Sequence, residues 1–180
     1  DCAAPLEVLL VEATGSILPE IGAGLARYAL ERLRARGIEV LLETRLDSAE
    51  GGTLRLSDGQ VFRSDTLVWT AGVKPSPLAF GSGLPVDDSG RVRTDAYLRV
   101  EGAEDAWAVG DAAAVPDRLG GGTMPPTAQH GMRQGKRLAS NLVAVLEGRT
   151  PEPFDYRGIG AVVSLGRYKG VAVIRGVRLR

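Results

Sequence analysis

Hydrophobic and polar positions follow two rhythms along this chain, and the change between them suggests how it is organised. Residues 6–12, LEVLLVE, make a short apolar run closed by Glu12, the pattern of a buried strand in a parallel sheet. Gly15 breaks the run, and Ser16, Pro19 and Glu20 read as a helix start. Ile21, Leu25, Ala29, Leu30 and Leu33 then recur at nearly helical spacing, which predicts a helix over 21–36 stopped by Gly37. Residues 38–43, IEVLLE, predict a second parallel strand. The result is a β-α-β unit, whose crossover should be right-handed.

The rhythm then shortens. GGTLRLSDGQVFRSD predicts an antiparallel hairpin turning at Ser57-Asp58-Gly59. DTLVWTAG, residues 65–72, predicts a buried strand that runs into Gly72. Residues 74–90 are rich in Pro and Gly and read as a connection. Residues 90–100 alternate like a strand pair, and DAWAVGDAA predicts a buried strand stopping at Gly110. PPTAQHGMRQGKRLASNLVAVLEG predicts the second long helix, with Pro126 as its first residue, Gly148 as its stop, and Leu138, Leu142, Val145 and Leu146 as its buried stripe. RTPEPFDY is a Pro-punctuated link, and AVVSLGRYKGVAVIRGV predicts a β-hairpin. Strands alternating with helices, followed by antiparallel insertions, place the chain in the α/β class with mixed sheets.

Composition narrows the function. The chain has 180 residues, 22 Lys and Arg against 22 Asp and Glu, and 5% aromatic residues, so it offers neither a basic surface nor a stacking surface for nucleic acid. Cys2 is the lone cysteine, which excludes an intrachain disulfide or a dithiol redox pair and fits a reducing compartment. One His and one Cys cannot build a usual zinc site, and no metal is expected. The sequence contains no G-x-S-x-G elbow, no Walker loop and no apolar run long enough to span a bilayer. The chain lacks an initiator Met and enters a strand within a few residues, so it is expected to be a fragment of something longer.

Four places could carry chemistry. Glu12 ends an apolar strand, where an acid can accept bonds from the ribose hydroxyls of a dinucleotide or simply end the strand in solvent. Gly110-Asp111 ends another, with a glycine that lets a ligand approach the backbone and a carboxylate for sugar or ribityl hydroxyls; a plain turn is the alternative. Ala71 and Gly72 close the run after Trp69, at a packing corner or beside a flat cofactor. Gln129 and Gln134 lie in the opening turns of the second helix, where unsatisfied N–H groups favour electron-rich partners. His130, the sole histidine, reads as a surface or supporting residue rather than a base.

LLVEATGSILPEI, DTLVWTAGVKPSPLA, GRVRTDAYLRV, AWAVGDAAAVPD and PPTAQHGMRQGKRLASNL occur in one order over nearly the whole chain. That ordered set resembles the flavoproteins with two dinucleotide-binding domains, within the pyridine nucleotide-disulfide oxidoreductase superfamily. It is most similar to the type II NADH dehydrogenases, or NADH:quinone oxidoreductases. The resemblance implies a partial Rossmann-like flavoprotein with FAD and NAD as cofactors, in which NADH passes hydride to flavin and a quinone receives the electrons. It implies that Asp111, after Gly110, binds the ribityl chain and that Glu12 binds the adenosine ribose of NADH. Ala71 and Gly72 would lie near the nicotinamide, and Ala128 and Gln129 against the flavin ring beside the quinone. The expected domains are 1–73, the end of the NADH domain; 74–150, the returning part of the FAD domain; and 151–180, the start of a C-terminal hairpin region.

Three departures qualify the resemblance. The family's quinone motif places a second Gln four residues after the first, where this chain has Arg133; Gln134 follows it. Both glycine fingerprints and the amphipathic membrane anchor are missing from these residues, so the fragment alone is expected to be inactive. A soluble NADH oxidase or ferredoxin reductase would share Glu12 and Gly110-Asp111, whereas the PPTAQ run favours a quinone acceptor. A sulfide:quinone reductase needs a cysteine pair that Cys2 cannot supply. A non-catalytic NAD-binding remnant is the reading from outside the enzymes. The expected location is the cytoplasm of a bacterium, or the cytoplasmic face of its inner membrane, with peripheral membrane association and a homodimer left open for the full-length protein.

Overall fold

The computed structural model describes residues 6–180, so Cys2 lies outside the described residues. The chain forms two compact units: one combines the residues up to Trp69 with Ile159–Arg180, and the other is Thr70–Gly158.

The first unit contains the expected β-α-β. Strand β1 (Leu9–Val11) pairs in parallel with β2 (Glu39–Leu41), with Leu9 opposite Glu39 and Val11 opposite Leu41. Helix α1 (Ala23–Arg34) connects them. It begins two residues later than the periodicity predicts, because Pro19–Ile21 form a separate 3₁₀ turn and Gly22 intervenes at φ 82°. Gly37 takes φ 81° just past the helix and donates to the Arg34 carbonyl at 2.9 Å, which ends the helix as anticipated. The hairpin is also present, but within a three-stranded antiparallel sheet of β3 (Leu46–Glu50), β4 (Thr53–Leu56) and β5 (Val61–Arg63).

Residues 65–72 do not form the expected buried strand. They have no regular structure, and Leu67, Val68 and Trp69 are exposed. A strand buried in a parallel sheet needs neighbours to satisfy its backbone and cover its faces. Among the described residues, no strand pairs with this run.

The second unit holds α2 (Leu78–Gly81), β6 (Val92–Arg93), β7 (Ala113–Ala114) and α3 (Ala128–Leu146). Strands β6 and β7 pair in parallel, and isolated antiparallel bridges join Thr94 to Val100 and Arg99 to Trp107. Leu98, Ala113, Val115, Met124 and Phe154 form its core. Phe154 comes from the Pro-punctuated link, which is therefore packed rather than loose. The run before Gly110 is half-buried rather than a buried strand, and Gly110–Ala112 form a 3₁₀ turn that leads into β7.

Helix α3 departs from its sequence reading at one end and along one side. Thr127, in extended conformation, caps it in place of Pro126, its Oγ1 accepting from the His130 N–H. Its buried residues are His130, Gln134, Asn141 and Ala144, while Leu142, Val145 and Leu146 are exposed. Polar side chains occupy the inner face because irregular backbone packs there and needs partners. Asn141 Nδ2 donates to the carbonyls of Tyr97 and Glu152, each at 2.9 Å, and its Oδ1 accepts from Glu152 N at 2.9 Å. At the other end Gly148, at φ 69°, donates to the Val145 carbonyl, and Arg149 donates to Ala144 at 2.7 Å. That pair of reversed bonds is a Schellman cap, as Gly148 predicts.

The chain then rejoins the first unit through an antiparallel sheet of β8 (Gly160–Ser164), β9 (Gly170–Ile174) and β10 (Val177–Leu179). Leu165 and Val171 from this hairpin region complete a core with Ile17, Ile21, Leu25, Ala29 and Val40. Burying each of the large aliphatic side chains contributes about 1.5–3 kcal/mol.

Candidate functional site

In the first unit, Glu12 directly follows β1 and extends its ladder. Its N–H donates to the Leu41 carbonyl at 2.9 Å, and its own carbonyl accepts from Thr44 at 3.0 Å. The backbone is thus fixed at the carboxyl end of a parallel pair, where ligands of open α/β sheets collect. One carboxylate oxygen, Oε1, accepts from the N–H and the hydroxyl of Thr14, at 2.7 and 2.8 Å. No described residue donates to Oε2, which leaves an oriented acceptor for a hydroxyl.

In the second unit, the structure brings three of the sequence-derived residues together. Gly110 opens the 3₁₀ turn at φ 70°, a left-handed conformation that costs a side-chain-bearing residue about 1–2 kcal/mol. Its N–H donates to Gln134 Oε1 at 2.7 Å, and Gln134 is 2% exposed. Gly131, one turn earlier on α3, faces the same turn: a Cβ there would stand 3.5 Å from the Gly110 Cα, in ordinary van der Waals contact. Asp111 follows, exposed, and its carboxylate has no partner among the described residues. A Cβ at Gly110 would meet nothing within 4 Å, so the turn presents an open face beside a free carboxylate. A flat or hydroxyl-rich ligand fits that arrangement.

Ala128 and Gln129 form the first turn of α3, whose N-terminal end carries partial positive charge. Tyr156 Oη donates to Gln129 Oε1 at 3.2 Å, and Arg133 Nη1 donates to the Gln129 carbonyl at 3.1 Å. The Arg133 guanidinium lies over the Tyr156 ring, 4.4 Å from its centroid. His130 also meets Tyr156, in an edge arrangement with ring centroids 5.2 Å apart, and shares a 2.7 Å hydrogen bond through Nδ1 with Thr127 Oγ1. Burial lowers the His130 pKa below its ordinary value; the Asp117 charge opposes the shift and the Arg133 charge reinforces it. An open cavity of about 400 Å³ is lined by Asp117, Met124, His130, Tyr156 and Arg157. A groove of about 320 Å³ is lined by Arg133, Lys136, Ser140 and Tyr156.

Ala71 and Gly72 lie in an exposed irregular stretch, with Gly72 at φ 85°. Glu12 stands in the other unit from Gly110, Asp111 and the α3 residues. Sequence reasoning missed Tyr156, which organises Gln129, His130 and Arg133. The available signal was Phe154 and Tyr156, two aromatic residues at strand spacing inside an apparent linker. Among the described residues, no cluster of His, Cys, Asp and Glu could hold a metal ion, and no helix is long and apolar enough to cross a membrane.

The sequence pattern described as pyridine nucleotide-disulphide oxidoreductase matches residues 2–135. A type II NADH:quinone oxidoreductase of Staphylococcus saprophyticus is 33% identical over 174 residues, which are 95% of this chain and 43% of that protein. Among solved structures, NDH2 from Plasmodium falciparum in complex with NADH superposes with a TM-score of 0.86 at 13% identity, over 97% of this chain and 51% of its own. A FAD-dependent pyridine nucleotide-disulphide oxidoreductase from Desulfovibrio vulgaris does so with a TM-score of 0.76 at 21% identity, over 94% and 43%. These two structural likenesses are likenesses of fold. The chain spans between about a third and just over two fifths of the length of the curated relatives it matches.

Proposed function

The chain belongs to the pyridine nucleotide-disulphide oxidoreductase family, and from that premise we propose that it is part of a flavin-dependent enzyme that oxidises NADH and reduces a quinone. The Gly110-Asp111 turn carries this reading. It pairs a glycine face open to a ligand with a carboxylate that no protein group neutralises. Asp111 would accept hydrogen bonds from the ribityl hydroxyls of FAD, and Gly110 would let the cofactor lie close to the backbone. The α3 N-terminus, with Ala128 and Gln129, would hold the flavin ring and favour its electron-rich form through the helix dipole.

Glu12 would hold the adenosine ribose of NADH, with Thr14 fixing one carboxylate oxygen and the other left to accept. A 2′-phosphate would meet the same negative charge, so NADH is preferred over NADPH. Ala71 and Gly72, which are small and exposed, would leave room for the nicotinamide. FAD, when bound, supplies the redox chemistry, taking hydride from NADH and passing the electrons to the acceptor. The protein would orient both molecules, and this chemistry calls for no protein nucleophile.

The quinone reading is supported by the PPTAQ run at the start of α3 and by the named activity of the Staphylococcus relative. Arg133 stands where a second Gln would be expected. Its bond to Gln129 and its position over Tyr156 keep it in an ordered place beside that run. A lipid-soluble acceptor would bring the full-length protein to the membrane surface.

The test is NADH oxidation by the full-length protein with FAD, offering menaquinone and ubiquinone analogues against ferricyanide and O₂. Preferential turnover with a quinone is expected. Turnover with ferricyanide or O₂ alone would point to a soluble oxidase or ferredoxin-reductase-like enzyme, and a protein that binds no flavin would overturn the proposal.

A further inference from the structure

We propose that Gln134 is a positioning residue for the flavin end of the site: its buried amide oxygen holds the Gly110-Asp111 turn on α3 and thereby sets the position of the Asp111 carboxylate. This rests on the reading of Asp111 as a partner of ribityl hydroxyls. Asp111 is exposed, and no hydrogen bond or ion pair holds its carboxylate among the described residues, so its position follows from its own backbone. The backbone at this point is a single 3₁₀ turn, three residues long. Its first N–H groups have no partner within the turn. Gly110 N–H finds one in Gln134 Oε1 at 2.7 Å.

The neighbouring contact agrees in geometry. Gly131 and Gln134 are three residues apart and so share one face of α3. The first brings a bare Cα surface up to Gly110 and the second supplies the acceptor. A buried glutamine at this point serves the turn alone; Asn141, one face-repeat further along α3, serves the 152 segment and Tyr97 instead. Without the acceptor the turn keeps its sequence but loses its anchor, and the carboxylate samples positions outside the narrow range of a good hydrogen bond.

The experiment uses the full-length protein stripped of flavin, with FAD affinity measured by fluorescence titration and the melting temperature of the apoprotein measured alongside. Gln134→Met removes the acceptor at similar volume, and Gln134→Glu keeps an acceptor of the same reach. Gln134→Met is expected to weaken FAD binding about tenfold, the loss of roughly one hydrogen bond. Gln134→Glu should restore most of it. In an Asp111→Ala background Gln134→Met should cost no further affinity, because the group being positioned is gone.

Parental FAD affinity in Gln134→Met overturns the proposal, as does an undiminished loss in the Asp111→Ala background. If Gln134→Met does not fold, Gly131→Val crowds the same turn without removing a buried polar group. It should weaken FAD in the parent and not in Asp111→Ala, and parental affinity overturns the proposal again. If Asp111→Ala itself leaves FAD affinity unchanged, the flavin reading of the turn is wrong and this inference falls with it.

Discussion

Arg133 lies over the ring of Tyr156 at 4.4 Å while donating to the carbonyl of Gln129, and Tyr156 donates to the Gln129 side chain. Three side chains from two distant stretches therefore fix one another at the start of α3. The cation–π contact is worth about 0.5–1 kcal/mol at this degree of exposure. Arg133→Ala should lower stability by about 1 kcal/mol, read from the urea midpoint of the full-length protein. Tyr156→Phe keeps the ring beneath Arg133 and removes only the bond to Gln129. It should therefore be the milder change in stability and, if the proposed quinone is the acceptor, should still raise its KM. An unaltered KM would separate Gln129 from the acceptor.

Glu12 offers a test in the other unit. Glu12→Arg replaces the proposed acceptor of ribose hydroxyls with a cation that would welcome a 2′-phosphate. Measured as kcat/KM, preference should move from NADH toward NADPH by about tenfold or more, since each lost or gained charged hydrogen bond is worth roughly 1.5–3 kcal/mol. Unchanged specificity would remove Glu12 from the dinucleotide site.

Gly110 has φ 70° with open space where a side chain would project. Gly110→Ala should therefore destabilise the apoprotein by about 1–2 kcal/mol through backbone strain alone. It should also weaken FAD, because the methyl group enters the open face. A variant that loses stability but keeps full FAD affinity would show that the face is not used.

His130 gives a pH signature. Its pKa is lowered by burial, with Arg133 assisting and Asp117 opposing. The unfolded chain thus binds a proton more readily than the folded one near the ordinary histidine value of about 6.5. Stability should be fully present above that value and should fall as pH drops through it, levelling off below the folded pKa. Chemical denaturation between pH 7.5 and about 5 should show this slope in the parent, and His130→Asn should flatten it while leaving a side chain able to bond Thr127. Asp117, Tyr156 and Arg157 line the same cavity as His130 and the Arg133 charge acts on it, and no slope difference between the two proteins would assign the pH dependence elsewhere.

The glycine stop after α3 can be checked independently of function. Gly148 takes φ 69° within two reversed backbone bonds. Gly148→Ala should cost about 1 kcal/mol, visible as a lower urea midpoint with unchanged cofactor affinity.

Short-range physics made much of this protein legible in its sequence. The β-α-β unit followed from apolar spacing and from Gly37, and the turn at Asp58-Gly59 from its residue types, because these depend on neighbours within a few positions. Glu12 and Gly110-Asp111 could be singled out for the same reason: each ends an apolar run. Tertiary structure decided what distant segments do to one another. It buried Gln134 and Asn141 on the inner face of α3 in place of Leu142 and Val145, because irregular backbone against that helix needs hydrogen-bond partners more than it needs hydrocarbon. It left Val68 and Trp69 exposed, since no strand among the described residues covers them. It also joined Tyr156 to Gln129 and Arg133 across more than twenty residues, a contact no periodicity encodes because only packing of the 154–156 segment on α3 creates it.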